Sequence, residues 1–137
     1  MTRINIIPAK ELYDQHLIAE YREITMVPAA LNRTLNSKKG IDKEKISSTY
    51  TLNKGHVYFF YNKGRYLYNR YLEIIYEMKQ RGFSPNSKRK FPKKIFIENN
   101  LYNDWAPTIE DYKIIRQRIN TKFKEKPNWY RKTSVKK

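Results

Sequence analysis

From residue 63 to residue 81 the apolar side chains Leu67, Tyr71, Ile74, Ile75 and Met78 recur every three or four positions, the period of one helical face and not of a strand. Gly82 is placed to end that run as a left-handed cap, with Phe83 supplying the hydrophobic contact that usually follows. A second face, Tyr112, Ile115, Ile119 and Phe123, begins at Thr108 as its cap and carries Glu110 and Asp111 in its first turn, where acids suit the helix dipole. Pro127 stops it. Upstream, after a short arm over residues 2–7 and Pro8, the positions Leu12, His16, Ala19 or Glu20, and Glu23 form a further helix that Asp14 is placed to cap. Pro28 predicts a kink or break near residues 25–28 before helix resumes through Leu31 and Leu35. Residues 48–61 are β-branched and aromatic around Gly55 and are expected to be extended or irregular, while residues 36–45 and 84–94 are basic loops and 99–107 is irregular.

The expected fold is therefore mainly α, a compact domain of about three helices joined by long loops. With 137 residues the chain has room for one core and not for two ordinary domains, so residues 1–137 are read as a single domain. No internal repeat is visible.

The formal charge of +16, from 29 Lys and Arg against 13 Asp and Glu, far exceeds what solubility asks of so small a domain and points to a polyanionic partner. No apolar run reaches membrane-spanning length, so a membrane partner is not expected, and no charged-then-apolar leader opens the chain, so a cytoplasmic protein is. The absence of cysteine excludes disulfides, thiol nucleophiles and Cys-ligated zinc. With His16 and His56 the only histidines, no metal site and no cofactor are expected.

Three constellations can carry chemistry. Thr2 after the initiator Met1 permits removal of the methionine, freeing an α-amine whose pKa of about 7.7–8 leaves a useful fraction neutral and nucleophilic at pH 7, whereas a lysine would need desolvation. Many chains begin this way without chemical purpose. His16, Glu20 and Glu23 lie at intervals of four and three and share a helical face, either a proton-handling carboxylate site or routine ion pairs. Arg118 and Lys122, one turn apart with Arg116, Lys124 and Lys126 nearby, repel one another and favour phosphates over self-stabilisation. In the tail, Trp129 and Tyr130 among Lys126, Arg131 and Lys132 are equally suited to stacking on nucleic acid and to packing back on the core. His56 reads as a buried, hydrogen-bonded histidine rather than a catalyst.

Met1-Thr2-Arg3-Ile4-Asn5, Asp14-Gln15-His16-Leu17, Ala19-Glu20-Tyr21-Arg22-Glu23, Gly55-His56-Val57, Phe59-Phe60-Tyr61, Arg81-Gly82-Phe83, Arg118, Lys122 and residues 127–130 together resemble the phage endonuclease V family, pyrimidine-dimer DNA glycosylases with AP-lyase activity. The resemblance runs in order over nearly the whole chain. It implies a mostly helical domain whose N-terminal arm threads between helices. Thr2 then supplies the nucleophilic amine and Glu23 assists glycosyl cleavage and β-elimination at the 5′ pyrimidine of a cyclobutane dimer. The DNA-binding residues it implies are Arg3, Gln15, His16, Tyr21, Arg22, Arg118, Lys122, Trp129, Tyr130 and Arg131. The implied partner is double-stranded DNA carrying UV lesions or abasic sites, bound by a monomer that flips a base out of the stack and kinks the duplex. Met26 departs from the family pattern, which has an arginine near the scissile phosphate there. The competing reading is a basic nucleic-acid-binding protein without catalysis, which blocking the α-amine would leave unaffected. A metal-dependent nuclease would lack ligands.

Overall fold

The stripe at residues 63–81 does become a central helix. In the computed structural model, which describes residues 3–86 and 88–133, α1 spans Asp14–Glu23, α2 Met26–Leu35, α3 His56–Phe59, α4 Gly64–Gln80, α5 Lys94–Glu98 and α6 Ile109–Glu125. Leu67 and Ile74 are fully buried on α4, with Tyr71 and Met78 nearly so. The helix ends as its sequence predicts. Gly82 adopts φ 88°, its N–H donates to the Lys79 carbonyl (3.0 Å), and the Phe83 N–H donates to that of Met78 (2.8 Å), satisfying carbonyls that would otherwise lack partners. At the start of α6 the Thr108 hydroxyl accepts from the Asp111 N–H while the Asp111 carboxylate accepts from the Thr108 N–H, a reciprocal cap.

Three sequence expectations change. Asp14 does not cap α1: it is the first helical residue, and its carboxylate instead receives Arg81 (2.9 Å) and Thr133. Its own N–H donates to the Arg131 carbonyl (2.6 Å), so the tail does the capping. Residues 48–61 hold no strand. They are irregular up to α3, and their aromatic side chains pack edge to face, Tyr50, Phe59 and Phe60 with one another and Phe59 and Phe60 on Trp105. The irregular form is the one observed up to His56, the helix His56–Phe59 is the change, and the aromatic composition serves ring packing. The helices also number more than three among the described residues, because the predicted break separates α1 from α2 and two short helices, α3 and α5, join them. Pro28 falls at the third position of α2, where a backbone N–H has no partner within the helix, and so it costs no bond there.

The short α5 seats Phe96 in the core directly against the start of α4, where a Cβ on residue 64 would lie 2.4 Å from the Phe96 ring; only glycine fits. One hydrophobic core joins residues from the arm and from every helix. No helix among the described residues is long and apolar enough to cross a membrane.

The N-terminal arm lies inside the fold. Ile4, Asn5, Ile6 and Ile7 are all buried. At Ile6 the backbone takes φ 46° with the Ile7 N–H donating to the Asn5 carbonyl across it, a left-handed turn that a β-branched residue adopts only when its surroundings impose it. The imposing groups come largely from α4 and from Arg81, the residue that caps its C-terminus. Arg70 and Arg81 stand eleven residues, or about three turns, apart and so share a face. Arg70 donates to the Ile7 carbonyl (2.5 Å), Arg81 to those of Ala9 (3.2 Å) and Lys10 (3.3 Å), and Glu73 accepts from the Ala9 N–H (2.7 Å).

Candidate active site

An arm without helix or sheet must find acceptors elsewhere for its backbone N–H groups. Here three consecutive residues donate to three side chains: Arg3 N–H to Glu23 Oε1 (2.8 Å), Ile4 N–H to His56 Nε2 (2.8 Å) and Asn5 N–H to Glu20 Oε1 (3.0 Å). Glu20 and Glu23 lie one turn apart on α1, so the helix presents both carboxylates to the arm as their spacing predicts.

These contacts border a small pocket of about 90 Å³ lined by Arg3, Asn5, His16, Glu20, Glu23 and Arg118. Burial raises the Glu23 carboxyl above its ordinary value, against the opposing pull of the Arg3 N–H. The proton-bearing form is thereby brought nearer to the working range, a shift that suits a carboxyl to exchanging protons. Burial, and then the charge of Arg118, hold His16 down at about 4, so its imidazole is neutral at physiological pH. Its Nδ1 and the Oδ1 of Asn5 are buried with no hydrogen-bond partner among the described residues.

The DNA-binding residues expected from sequence separate into groups. Arg3, His16 and Arg118 line the pocket with Glu23. Tyr130 stacks on the His16 ring (centroids 4.9 Å apart), and Gln15 fastens the tail by donating to the Trp129 carbonyl (2.6 Å) and accepting from the Arg131 N–H (3.0 Å). The tail's two aromatics thus part company: Tyr130 packs back, whereas Trp129 remains 54% exposed. Tyr21 is buried and donates to the Asn86 carbonyl (3.1 Å) on a neighbouring face where Arg22 and Arg89 line a depression of about 360 Å³. Lys122 is exposed, 3.9 Å from Glu125 and apart from the pocket that Arg118 enters. Thr2 lies outside the described residues.

Sequence reasoning missed Asn5, Tyr50, Arg70 and the arm-holding role of Glu20 and His56. Arg70 carried a signal, since it sits three residues after Leu67 and four before Ile74 on the core face of α4, where an unpaired charge would be prohibitive. A larger groove of about 1000 Å³ lies between the end of α2 and the loop containing Gly40, but its charged residues are all exposed and of both signs, so nothing there concentrates reactive groups.

The pocket's residues from the arm and α1 fall within residues 1–91, the stretch matched by the family model of the pyrimidine dimer DNA glycosylases; Arg118 comes from α6, beyond it. With that match covering about two thirds of the chain, and with the arm docked on the carboxylates of α1, the chain belongs to the pyrimidine dimer DNA glycosylase family and is a DNA-repair glycosylase.

Proposed function

We propose that the protein cleaves the glycosyl bond of the 5′ pyrimidine of a cyclobutane dimer with the α-amine of Thr2 and then nicks the strand as a lyase. The single observation that supports this is the Arg3 N–H bonded to Glu23, which fixes the residue joined to Thr2 against a carboxylate of raised pKa. The neutral amine attacks C1′ of the damaged nucleotide and the glycosyl bond breaks with its electron pair leaving on the base; of the two protons the nitrogen gives up, one goes to the base and one to O4′ as the sugar ring opens to an imine. Glu23 accepts the C2′ proton, whose electrons expel the 3′ phosphate by β-elimination. Arg3 and Arg118 offset phosphate charge near the pocket, and the protein acts as a monomer on duplex DNA bearing dimers or abasic sites.

Borohydride should link the protein covalently to an abasic or dimer-containing duplex, with the adduct mapping to the N-terminal peptide. An adduct on an internal lysine refutes the amine assignment, and no adduct at all refutes the imine.

The separation of Arg118 from Lys122 gives them different tasks. Lys122→Gln should weaken damaged and undamaged duplexes by similar factors and reduce the magnitude of the slope of log affinity against log salt by about 0.9, the signature of one lost phosphate contact. Arg118→Gln should lower cleavage by a larger factor than binding. Filter-binding titrations at several salt concentrations beside single-turnover cleavage check both; a Lys122→Gln slope equal to wild type removes that residue from the DNA interface.

A further inference from the structure

His56 and Tyr50 grip one residue of the arm from both sides. The Ile4 N–H donates to His56 Nε2 (2.8 Å), and the Tyr50 hydroxyl donates to the Ile4 carbonyl (2.8 Å); His56, Tyr50 and Ile4 are all buried. The other ring nitrogen of His56 lies 2.8 Å from the Thr51 carbonyl. A carbonyl only accepts and a backbone N–H only donates, so these partners require the proton on Nδ1 and a lone pair on Nε2. The ring is further fixed by edge contacts with Tyr50 and Phe60. Burial keeps it neutral, with a pKa near 4, as that tautomer requires.

We propose that His56 is a positioning residue for the reaction: as a neutral acceptor in one tautomer, with Tyr50 opposite, it sets the register of the arm that carries the α-amine. This rests on the proposed use of Thr2. His56 makes no contact with the pocket, being absent from its lining, and acts two residues along the chain from the amine. Glu23 and Glu20 hold the N–H groups on either side of Ile4, so without His56 the arm would stay attached but lose its central point, and Ile4 would bury an N–H without an acceptor.

The test compares His56→Leu, which fills space without an acceptor, with His56→Gln, which returns an amide oxygen at similar reach. Single-turnover borohydride trapping on an abasic duplex is read beside duplex affinity and beside hydrogen exchange of the Ile4 amide by NMR. In His56→Leu, trapping should slow and Ile4 exchange should quicken by about tenfold or more, the factor carried by one net hydrogen bond, with affinity nearly unchanged. His56→Gln should restore most of both. The proposal is overturned if Gln behaves like Leu, if affinity falls as far as trapping, or if Ile4 exchange does not change in His56→Leu. Should His56→Leu not fold, His56→Gln decides alone: wild-type protection at Ile4 with wild-type trapping supports the clamp, and loss of either overturns it. If the wild-type adduct maps to an internal lysine, the amine reading fails by itself, and Ile4 exchange still decides whether His56 holds the arm.

Discussion

Glu23→Gln should cut strand cleavage by roughly two orders of magnitude or more while leaving binding to a lesion duplex within a few-fold, the scale of effect expected when a general acid-base group is removed. The geometry makes the comparison clean. Glutamine keeps an oxygen to accept the Arg3 N–H, so the arm remains docked, and only the charge and the exchangeable proton are lost. The pH profile supplies a second check. On the proposed mechanism turnover needs the amine neutral and Glu23 ionised, so at low pH the wild-type rate should fall with a slope approaching two, one step for each group. Because burial raises the Glu23 carboxyl, its step comes at higher pH than that of an exposed glutamate. Glu23→Gln should retain only the amine's step. Equal losses of binding and cleavage, or an unchanged acid limb, would make Glu23 a structural acceptor for the arm and nothing more.

What the sequence made legible follows from the range of each interaction. The left-handed cap at Gly82, the reciprocal cap of Thr108 and Asp111, and the apolar stripe of α4 are decided within a few residues, and each stands where local chemistry puts it. Asp14 misled because its local role as a cap lost to distant partners, Arg81 and Thr133, 67 and 119 residues away in the chain. The aromatic segment around Gly55 is irregular up to α3, one of the two forms its composition allowed; the short helix His56–Phe59 was not legible, because its rings meet Trp105 across the fold. At the site, the spacing of Glu20 and Glu23 was readable from α1 alone. That the two carboxylates would accept consecutive parts of a threaded arm, and that His56 would bond between them, depends on contacts spanning 15 to 52 residues. No helical period encodes such contacts.

The arm's docking rests in part on the pair Arg70 and Glu20, and breaking it should cost the molecule much of its stability. Arg70 Nε lies 2.6 Å from Glu20 Oε2 and Arg70 Nη2 lies 3.0 Å from Oε1, a two-pronged contact with both side chains almost wholly excluded from water. Burial works against the charge on Arg70, but Glu20 overrides it and holds the guanidinium above its ordinary value. Arg70→Met fills similar space yet strands the Glu20 carboxylate in the core, and removing one partner of a buried pair typically costs about 3–5 kcal/mol. For a domain of this size that is a fall in Tm of roughly 10–20 °C. The double variant Glu20→Leu with Arg70→Met removes both charges and should recover much of the loss, since apolar replacement of a whole buried pair is often near neutral. Recovery will be incomplete, because the Asn5 N–H and the Ile7 carbonyl each lose a partner when the pair goes. Thermal denaturation of the wild type, Arg70→Met, Glu20→Leu and the double variant decides the matter. If the double variant is as unstable as the sum of its single losses, the two residues act independently and the arm is held by packing alone. If it folds well yet fails in borohydride trapping, the pair holds the arm in position for the proposed chemistry as well as for stability, because Asn5 lies three residues from Thr2.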